Sequence, residues 1–312
     1  MFLTASFGSY PRPQSLREYL LKAHGKQKKA NQNPTEEDSE EYIKALREVV
    51  GDEVGLDVIT DGQLSWDDYL ASVMASWQGV KMTGLIRFFD NNNYYRRPVI
   101  ESAINAGKPV IAPELELLKE ANPGAKIKAV IPGPYTLYSL SDDKFYNNAA
   151  EGISAISKAL LSELDTIEAD FIQIDEPALS YNPPSDDDFI HIKEEIEKLS
   201  WATRGKSIVA TYFGKLDSSL AGRLADIKCD YVGLDCVSMK NDLNIAKDAG
   251  IKNAQLGLVD ARNIKAEDPA KVASVANDFG DDVIISTNCG LEYLPREYAL
   301  RKLDILKATS NI

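Results

Sequence analysis

The stretch FIQIDEPALSYNPP, residues 171–184, places two adjacent acids at the end of an apolar run. Residues 171–174 have the character of a strand that packs on both faces, and Asp175 and Glu176 follow where that strand stops. Pro177 then fixes the next turn and removes a backbone donor. Because α/β enzymes keep their chemistry at the carboxyl ends of strands, the acid pair predicts a functional site here.

The strand that carries these acids is one of a series. Short apolar runs alternate with amphipathic helical stretches, which predicts βαβ units and a parallel sheet. Eight units favour a single (βα)8 TIM barrel, an α/β fold, over the alternative of an open doubly wound sheet. No linker rich in Pro, Gly or Ser divides the chain, so we expect one barrel domain over residues 1–312. The eight predicted strands are residues 2–8, 56–62, 127–133, 171–176, 207–213, 231–237, 254–260 and 282–288.

One segment interrupts this repeat. Residues 83–113 carry aromatic and β-branched residues without helical periodicity, and the run Asn91–Asn93 is a strong turn signal. We therefore predict a β-hairpin, at about residues 83–113, inserted after the second strand of the barrel.

Composition limits the classes of function. The 312 residues are 44% hydrophobic and carry a net charge of −13, which argues against a nucleic-acid partner, because such binding depends on Lys and Arg at phosphates. Cys229, Cys236 and Cys289 are too few and too scattered for a disulfide framework. We see no signal-peptide pattern and no apolar run long enough to span a bilayer, so we expect no membrane partner and a cytoplasmic location.

Polar residues follow the predicted strands, and in a barrel these strand ends converge on one mouth. Taken singly, each has a structural explanation: Gly8, for example, permits a tight turn, and an Asp at a strand end often caps the next helix. Together they predict a site for a small-molecule ligand. The candidate binding residues are Gly8, Ser9, Arg12, Arg17, Gln63, Trp66, Asp175, Glu176, Tyr212, Arg262 and Asn288.

Three motifs in these loops resemble a known family. The segments IQIDEPALSY and IPGPYTLYSL, and Asn288-Cys289 followed by Leu291, are similar to those of the cobalamin-independent methionine synthase family. The resemblance runs from Ser6 to about Lys307. It implies an enzyme of two (βα)8 barrels, whose C-terminal barrel binds zinc and homocysteine and meets a methyl-tetrahydrofolate donor.

The zinc ligands that this resemblance implies are largely replaced. A thiol is a poor nucleophile until it is ionised, and bound Zn²⁺ supplies that ionisation in the family's catalytic barrel. The family's His-x-Cys positions read Tyr212 and Gly214 here. Its Glu position reads Asp235, and Cys289 keeps its type. Asp235 and Cys289 are thus the remaining candidate metal ligands, and we expect no tight zinc in this chain and predict no firm cofactor.

Other departures match the family's N-terminal barrel, which lacks the zinc set. The family's acidic homocysteine contact after the second strand reads Gln63, and its catalytic histidine after the seventh strand reads Arg262. The segments ATYFGKL, GLVDARN, DGQLSWDDYL and FDNNNYY look like that N-terminal half. The chain therefore resembles a free-standing N-terminal barrel, with folate as a candidate ligand.

Three hypotheses of function follow. The first is a protein that works with a separate zinc-bearing catalytic barrel in methionine formation from homocysteine and a methylated folate or another methyl carrier. The second is a stand-alone methyltransferase with a rebuilt site and a different donor or thiol acceptor. The third is a non-catalytic binding or scaffolding barrel. We favour the first, in which the isolated chain is weakly active or inactive.

Two parts of the mouth carry specific expectations from the family. The stretch that matches Arg17 helps to hold the glutamate tail of the folate, so Arg12 and Arg17 are expected to contact an anionic ligand. The family residue that matches Asp175 accepts hydrogen bonds from the amino group of homocysteine. Because Gln63 replaces the second acid of that pocket, we expect Asp175 to be mainly a strand-end organiser, bonded to loop backbone or to Tyr212.

Overall fold

The computed structural model describes residues 2–24, 36–48, 55–66, 68–237, 243–280 and 282–312. Numbered along the chain, the strands are β1 (Leu3–Thr4), β2 (Val58–Ile59), β3 (Gln78–Arg87), β4 (Tyr94–Asn105), β5 (Lys126–Pro132), β6 (Asp142–Asp143), β7 (Phe171–Asp175), β8 (Lys206–Thr211), β9 (Tyr231–Asp235), β10 (Ala254–Val259) and β11 (Val283–Thr287).

Helices lie between successive barrel strands. They are α1 (Gln14–His24), α2 (Glu36–Leu46), α3 (Ala71–Met74), α4 (Ile111–Ala121), α5 (Pro134–Ser139), α6 (Ala149–Leu164), α7 (Ala178–Tyr181), α8 (Asp186–Ala202), α9 (Ser218–Asp226), α10 (Leu243–Asp248), α11 (Pro269–Phe279) and α12 (Arg296–Ser310), with a 3₁₀ turn at Leu291–Tyr293. Within the described ranges, none of these helices has the length and apolar character needed to cross a membrane.

Eight strands form the parallel sheet that the sequence predicts. Around the sheet the order is β1, β11, β10, β9, β8, β7, β5 and β2, and each neighbouring pair is parallel. A single parallel bridge between Ala5 and Val58 joins the two end strands and closes the ring. Residues of β7, β9 and β11 are all buried, as expected for strands with helices outside and packed side chains inside. The predicted (βα)8 barrel is confirmed.

The seam between β1 and β2 is the shortest contact of the barrel. Both strands are shorter than predicted, since each is two residues long. Beyond their ends, the Thr60 hydroxyl donates to the Gly8 carbonyl oxygen at 2.8 Å. At the other side of the seam, Asp57 Oδ2 accepts hydrogen bonds from both the backbone N–H and the hydroxyl of Thr4, each at 2.8 Å. Side chains therefore supplement a short backbone ladder.

An antiparallel pair of strands, β3 and β4, is inserted after β2. The tip spans Phe88 to Asn93, where the Phe88 N–H donates to the Asn93 carbonyl oxygen at 2.9 Å. Phe89 and Asp90 have positive φ angles of 45° and 59°, which the tight turn requires. The short strand β6 adds to β4 in parallel.

The bounds of this insertion differ from the predicted residues 83–113. The ribbon begins at Gln78, which pairs with Asn105, and residues from Ile111 onward form α4 instead. The Glu163 carboxylate accepts a hydrogen bond from the Val110 N–H at 2.8 Å, just before α4 begins. This distant carboxylate satisfies a backbone donor at the helix start, and the local sequence does not reveal it.

We expect the Asp57→Ala variant to lose about 1 kcal/mol of stability, because both Thr4 donors at the seam lose their acceptor. Urea unfolding followed by circular dichroism measures the loss. Asp304→Ala, at an exposed position of α12, is the matched control and should change the free energy of unfolding by less than about 0.5 kcal/mol. Equal stability of the two variants would show that the seam does not depend on Asp57.

Candidate ligand site at the barrel mouth

A cavity of about 490 Å³ lies at the carboxyl ends of the barrel strands. This is the end at which barrel enzymes bind their ligands. Eight of the predicted binding residues line it, namely Gly8, Ser9, Arg12, Arg17, Gln63, Trp66, Asp175 and Tyr212. Other lining residues were not among the candidates, including Tyr69, Phe88, Tyr95, Glu292 and Tyr293.

Asp175 is buried on the floor of this cavity. Its Oδ1 accepts a hydrogen bond from Gln173 Nε2 at 2.7 Å. Its Oδ2 accepts from the hydroxyls of Tyr69 at 3.0 Å and Tyr212 at 3.2 Å. Burial raises the pKa of Asp175 to about 7, whereas these donors and the charge of Lys128 act in the opposite direction. Tyr212 is thus a partner of Asp175, and the other two partners are side chains rather than loop backbone.

Glu176 was a candidate binding residue, but its carboxylate lies outside the cavity lining. It accepts hydrogen bonds from the backbone N–H groups of Tyr135 at 2.9 Å and Thr136 at 2.7 Å, and from the Thr136 hydroxyl at 2.6 Å. The two N–H groups belong to the first turn of α5 and have no acceptor within that helix. A side chain at Gly133 would overlap the Glu176 carboxyl, which explains the glycine there. Glu176 therefore locks the loop after β5 to the end of β7.

Arg12 and Arg17 have different positions at the mouth. The Arg12 guanidinium donates from Nε to the Leu64 carbonyl oxygen and from Nη2 to the Trp66 carbonyl oxygen. Arg12 therefore fixes the loop after β2, which supplies part of the cavity wall. Arg17 is exposed at the rim of the cavity. Contact with an anionic ligand is for this reason proposed for Arg17 rather than for both arginines.

Two further candidates lie beside the cavity and not on it. Arg262 stacks on the ring of Phe213, with its guanidinium carbon 5.3 Å from the ring centroid. Asn288 Nδ2 donates to Asp235 Oδ1 at 3.1 Å, and its Oδ1 accepts from the Ala261 N–H at 2.8 Å. Asn288 thus links the loops that follow β9, β10 and β11, whereas Arg262 is exposed and packs on an aromatic ring.

The residues at the implied zinc positions do not fit a zinc ion. The Tyr212 hydroxyl already donates to Asp175, and the Asp235 carboxylate accepts from Asn288. Cys289 is fully buried, and burial raises the pKa of its thiol well above the usual value, which keeps the sulfur protonated. Across the part of the chain that the structure describes, no cluster of three or more His, Cys, Asp or Glu side chains is arranged to hold a metal.

A lysine inside the barrel lies beneath the cavity and was not a predicted site residue. Lys128 is fully buried, and its Nζ donates to the Ser6 carbonyl oxygen at 2.7 Å. It also donates to the Oε1 atoms of Gln173 at 2.6 Å and Gln255 at 2.9 Å. Burial lowers the pKa of Lys128 to about 7, whereas the charge of Asp175 raises it. The sequence signal for this group is a Lys or Gln within an apolar strand, as in IKAVIPG, FIQIDE and AQLGLVD.

The tip of the inserted β3–β4 ribbon covers one side of the mouth with aromatic rings. The Phe88 ring centroid lies 5.6 Å from that of Tyr69 and 6.2 Å from that of Phe213. Phe89 packs edge-on against Tyr181, with 5.2 Å between centroids. Such tilted and edge-to-face contacts are favourable arrangements of aromatic side chains. The insertion thus completes an aromatic wall above the polar floor.

Together, the fold and the site define a (βα)8 barrel with an aromatic, partly acidic ligand cavity at its mouth. The family model described as the N-terminal domain of cobalamin-independent synthase matches residues 60–283, which is most of the chain. The chain belongs to the cobalamin-independent methionine synthase family, and the predicted likeness to the N-terminal barrel is confirmed.

Relatives with similar sequences carry the name methionine synthase, and solved structures share the fold. The methionine synthase of Saccharolobus solfataricus is 28% identical over 318 residues, which cover 96% of this chain and 91% of that protein. The methionine synthase of Thermococcus kodakarensis is 28% identical and covers 96% and 90%. A B12-independent methionine synthase from Shewanella, solved with selenomethionine, has a TM-score of 0.80 at 20% identity and covers 100% and 97%. A methyltransferase from Methanosarcina mazei has a TM-score of 0.62 at 12% identity, with coverage of 99% and 95%.

We expect Gly133→Ala to destabilise the protein by about 2 kcal/mol, because the added methyl group displaces the Glu176 carboxyl from its three donors. Urea unfolding gives the change. Gly222→Ala is the matched control, since Gly222 lies within α9 with open space around it, and it should gain about 0.5–1 kcal/mol. A Gly133→Ala variant as stable as the wild type would contradict the role given to Glu176.

The free energy of unfolding should fall as the pH rises from about 5 to 7. Burial raises the pKa of Glu176 to about 7, so the folded protein holds a proton that the unfolded chain releases near pH 4. This group contributes at most about 1.4 kcal/mol per pH unit to the slope. Urea unfolding at several pH values measures it, and Glu176→Gln should have the smaller slope. Equal slopes for the variant and the wild type would rule out this contribution.

Proposed function

We propose that this chain takes part in methionine biosynthesis, in methyl transfer to homocysteine from a methylated folate or another methyl carrier. In this proposal it acts with a separate barrel chain that carries zinc. The chain binds a small-molecule ligand at its mouth, and the partner barrel ionises the thiol. A barrel fold alone is compatible with many functions, so the proposal relies on the family and on the residues of the cavity.

The observation that carries this proposal is the hydrogen bond from Tyr212 to Asp175 at 3.2 Å. Tyr212 occupies a position where the resemblance implies a zinc ligand in the catalytic barrel, and here its hydroxyl is committed to an acid on the cavity floor. Cys236 and Cys289 are buried, and burial raises the pKa of both thiols. Because a thiol acceptor needs deprotonation before it attacks a methyl group, we assign that step to a second chain.

The cavity has opposite charges at its two ends. Asp175 lies on the floor, and Arg17 is exposed at the rim. Trp66 and Tyr69 also line the cavity. This combination suits a ligand that has an amino group at one end and a carboxylate at the other, or a flat ring with an acidic tail. An amino acid and a folate glutamate are ligands of this kind.

The comparisons also favour one second candidate. The Saccharolobus solfataricus methionine synthase has a length close to that of this chain, since the match covers 96% of one and 91% of the other. A barrel of this length therefore carries that name without an added second half. The second candidate is a stand-alone methyltransferase whose rebuilt site uses a different donor or thiol acceptor.

A methyl-transfer assay with three mixtures separates these proposals. The mixtures contain homocysteine and a labelled methylated folate with this chain alone, with a family barrel that carries His-x-Cys alone, and with both chains. We expect turnover in the combined mixture to exceed that of the His-x-Cys barrel alone. Turnover by this chain alone would support the stand-alone enzyme. A combined rate equal to that of the His-x-Cys barrel would contradict the proposed partnership and leave a binding or scaffolding barrel.

Arg17→Ala should weaken the binding of a folate polyglutamate by about tenfold, because the rim loses a charge-assisted bond to a carboxylate. Isothermal titration calorimetry with the wild type and the variant measures this. Arg204→Ala is the matched control, since Arg204 precedes β8 at the opposite end of the barrel and should leave affinity unchanged. The assignment of Arg17 fails if both variants bind as tightly as the wild type.

A further inference from the structure

We propose that Lys128 determines whether the cavity floor presents hydrogen-bond acceptors or donors to a ligand. Its ammonium holds the Gln173 amide in the orientation that keeps Asp175 an ionised acceptor. Lys128 is outside the cavity lining and is therefore a positioning residue, which acts on the ligand through Gln173 and Asp175. The inference depends on the proposed function only in that a ligand occupies this cavity.

The first step is the charge state of Lys128. Three oxygen atoms, from Ser6, Gln173 and Gln255, accept hydrogen bonds from its Nζ at 2.6 to 2.9 Å. A neutral amine has two N–H donors and an ammonium has three, so the geometry is that of the ammonium. The Phe7 ring, whose centroid is 5.8 Å from Nζ, adds a favourable face for a cation. A buried charge with each of its donors satisfied avoids most of the cost of an unpaired one.

The second step is the orientation of the Gln173 amide. Its Oε1 accepts from Lys128 Nζ at 2.6 Å and from Gln255 Nε2 at 2.9 Å. With its oxygen held by two donors, Gln173 turns its Nε2 toward Asp175 and donates to Oδ1 at 2.7 Å. An N–H group at this position stabilises the carboxylate form. The opposite amide orientation would place an oxygen against Oδ1 and would require a protonated Asp175.

The third step is the effect on the cavity floor. An ionised Asp175 draws the hydroxyl protons of Tyr69 and Tyr212 toward its Oδ2, so both phenols act as donors to it. Lone pairs of the carboxylate and of the phenol oxygens are then what the floor offers to a ligand. Such a floor favours a ligand group that donates, such as an ammonium, over a carboxylate.

Several charged or titratable groups act on Asp175, and they do not act in the same direction. Burial is the largest influence and raises the pKa of Asp175. The charge of Asp175 also raises the pKa of Glu176, as expected for two neighbouring acids. Hydrogen bonds from Tyr69 and Tyr212 lower the pKa of Asp175, and so does the charge of Lys128. Of these groups Lys128 is the cation, so its removal should have a specific effect on Asp175.

The test is a pH titration of Asp175 in the intact chain, followed by ¹³C NMR of labelled aspartate carboxyl carbons. Asp175→Asn identifies the resonance. We expect the midpoint of Asp175 to rise by about one pH unit or more in Lys128→Met, because the nearby positive charge and the fixed amide are both lost. An unchanged midpoint in folded Lys128→Met would overturn the proposal. No ligand is needed, so this result is independent of the methyl-transfer assay.

A matched control separates this effect from the loss of any buried lysine. Lys302 on α12 is also buried and donates to both carboxylate oxygens of Glu267 at 2.9 Å, and it lies outside the cavity lining. Lys302→Met should leave the Asp175 midpoint unchanged, and an equal shift in this variant would count against the proposal.

Two further measurements cover the case in which Lys128→Met does not fold. Lys128→Gln keeps an N–H donor without the charge, and the Asp175 midpoint should again rise. In the wild type, ¹⁵N NMR of the Lys128 side chain at about pH 6 should show an ammonium, since three oxygen atoms accept hydrogen bonds from its Nζ. A neutral amine at that pH would overturn the proposal without any substitution.

Discussion

The ammonium of Lys128 lies inside the barrel and connects strands that are not neighbours in the sheet. It projects from β5 and donates to side chains of β7 and β10 and to the backbone just after β1. Burying a charge is costly unless all of its hydrogen bonds are made. This lysine therefore requires the strand register that places its three acceptors around Nζ. Strand register and the chemistry of the cavity floor are therefore set by one group of contacts.

The two adjacent acids at the end of β7 have separate tasks, because successive residues at a strand end point to opposite sides. Asp175 points into the barrel and meets Tyr69 and Tyr212. Glu176 points to the loop after β5 and accepts its hydrogen bonds from Tyr135 and Thr136. Glu176 thus stabilises a loop at the mouth from outside the cavity, and Asp175 lines the cavity itself.

Local sequence predicts the eight barrel strands because each is a short apolar run, and it predicts much of the cavity lining because strand ends converge in a barrel. Local sequence does not identify the hydrogen-bond partners of long polar side chains. Arg12 binds loop carbonyls more than 50 residues away, and Glu176 binds residues 40 and 41 positions away. Lys128 is missed because a lysine in a strand reads as exposed, whereas its acceptors come from three distant segments. Local periodicity contains no information about such contacts.

The pairing of Leu3 with Ile284 has a consequence for how the protein is made. These two residues are about 280 positions apart in the sequence, so β1 waits for this neighbour while the residues between them are synthesised. Synthesis at about 5–20 residues per second makes this a wait of many seconds. During that time the edge of β1 is open to pairing with other chains. The two-residue length of β1 limits the backbone that such an encounter could engage.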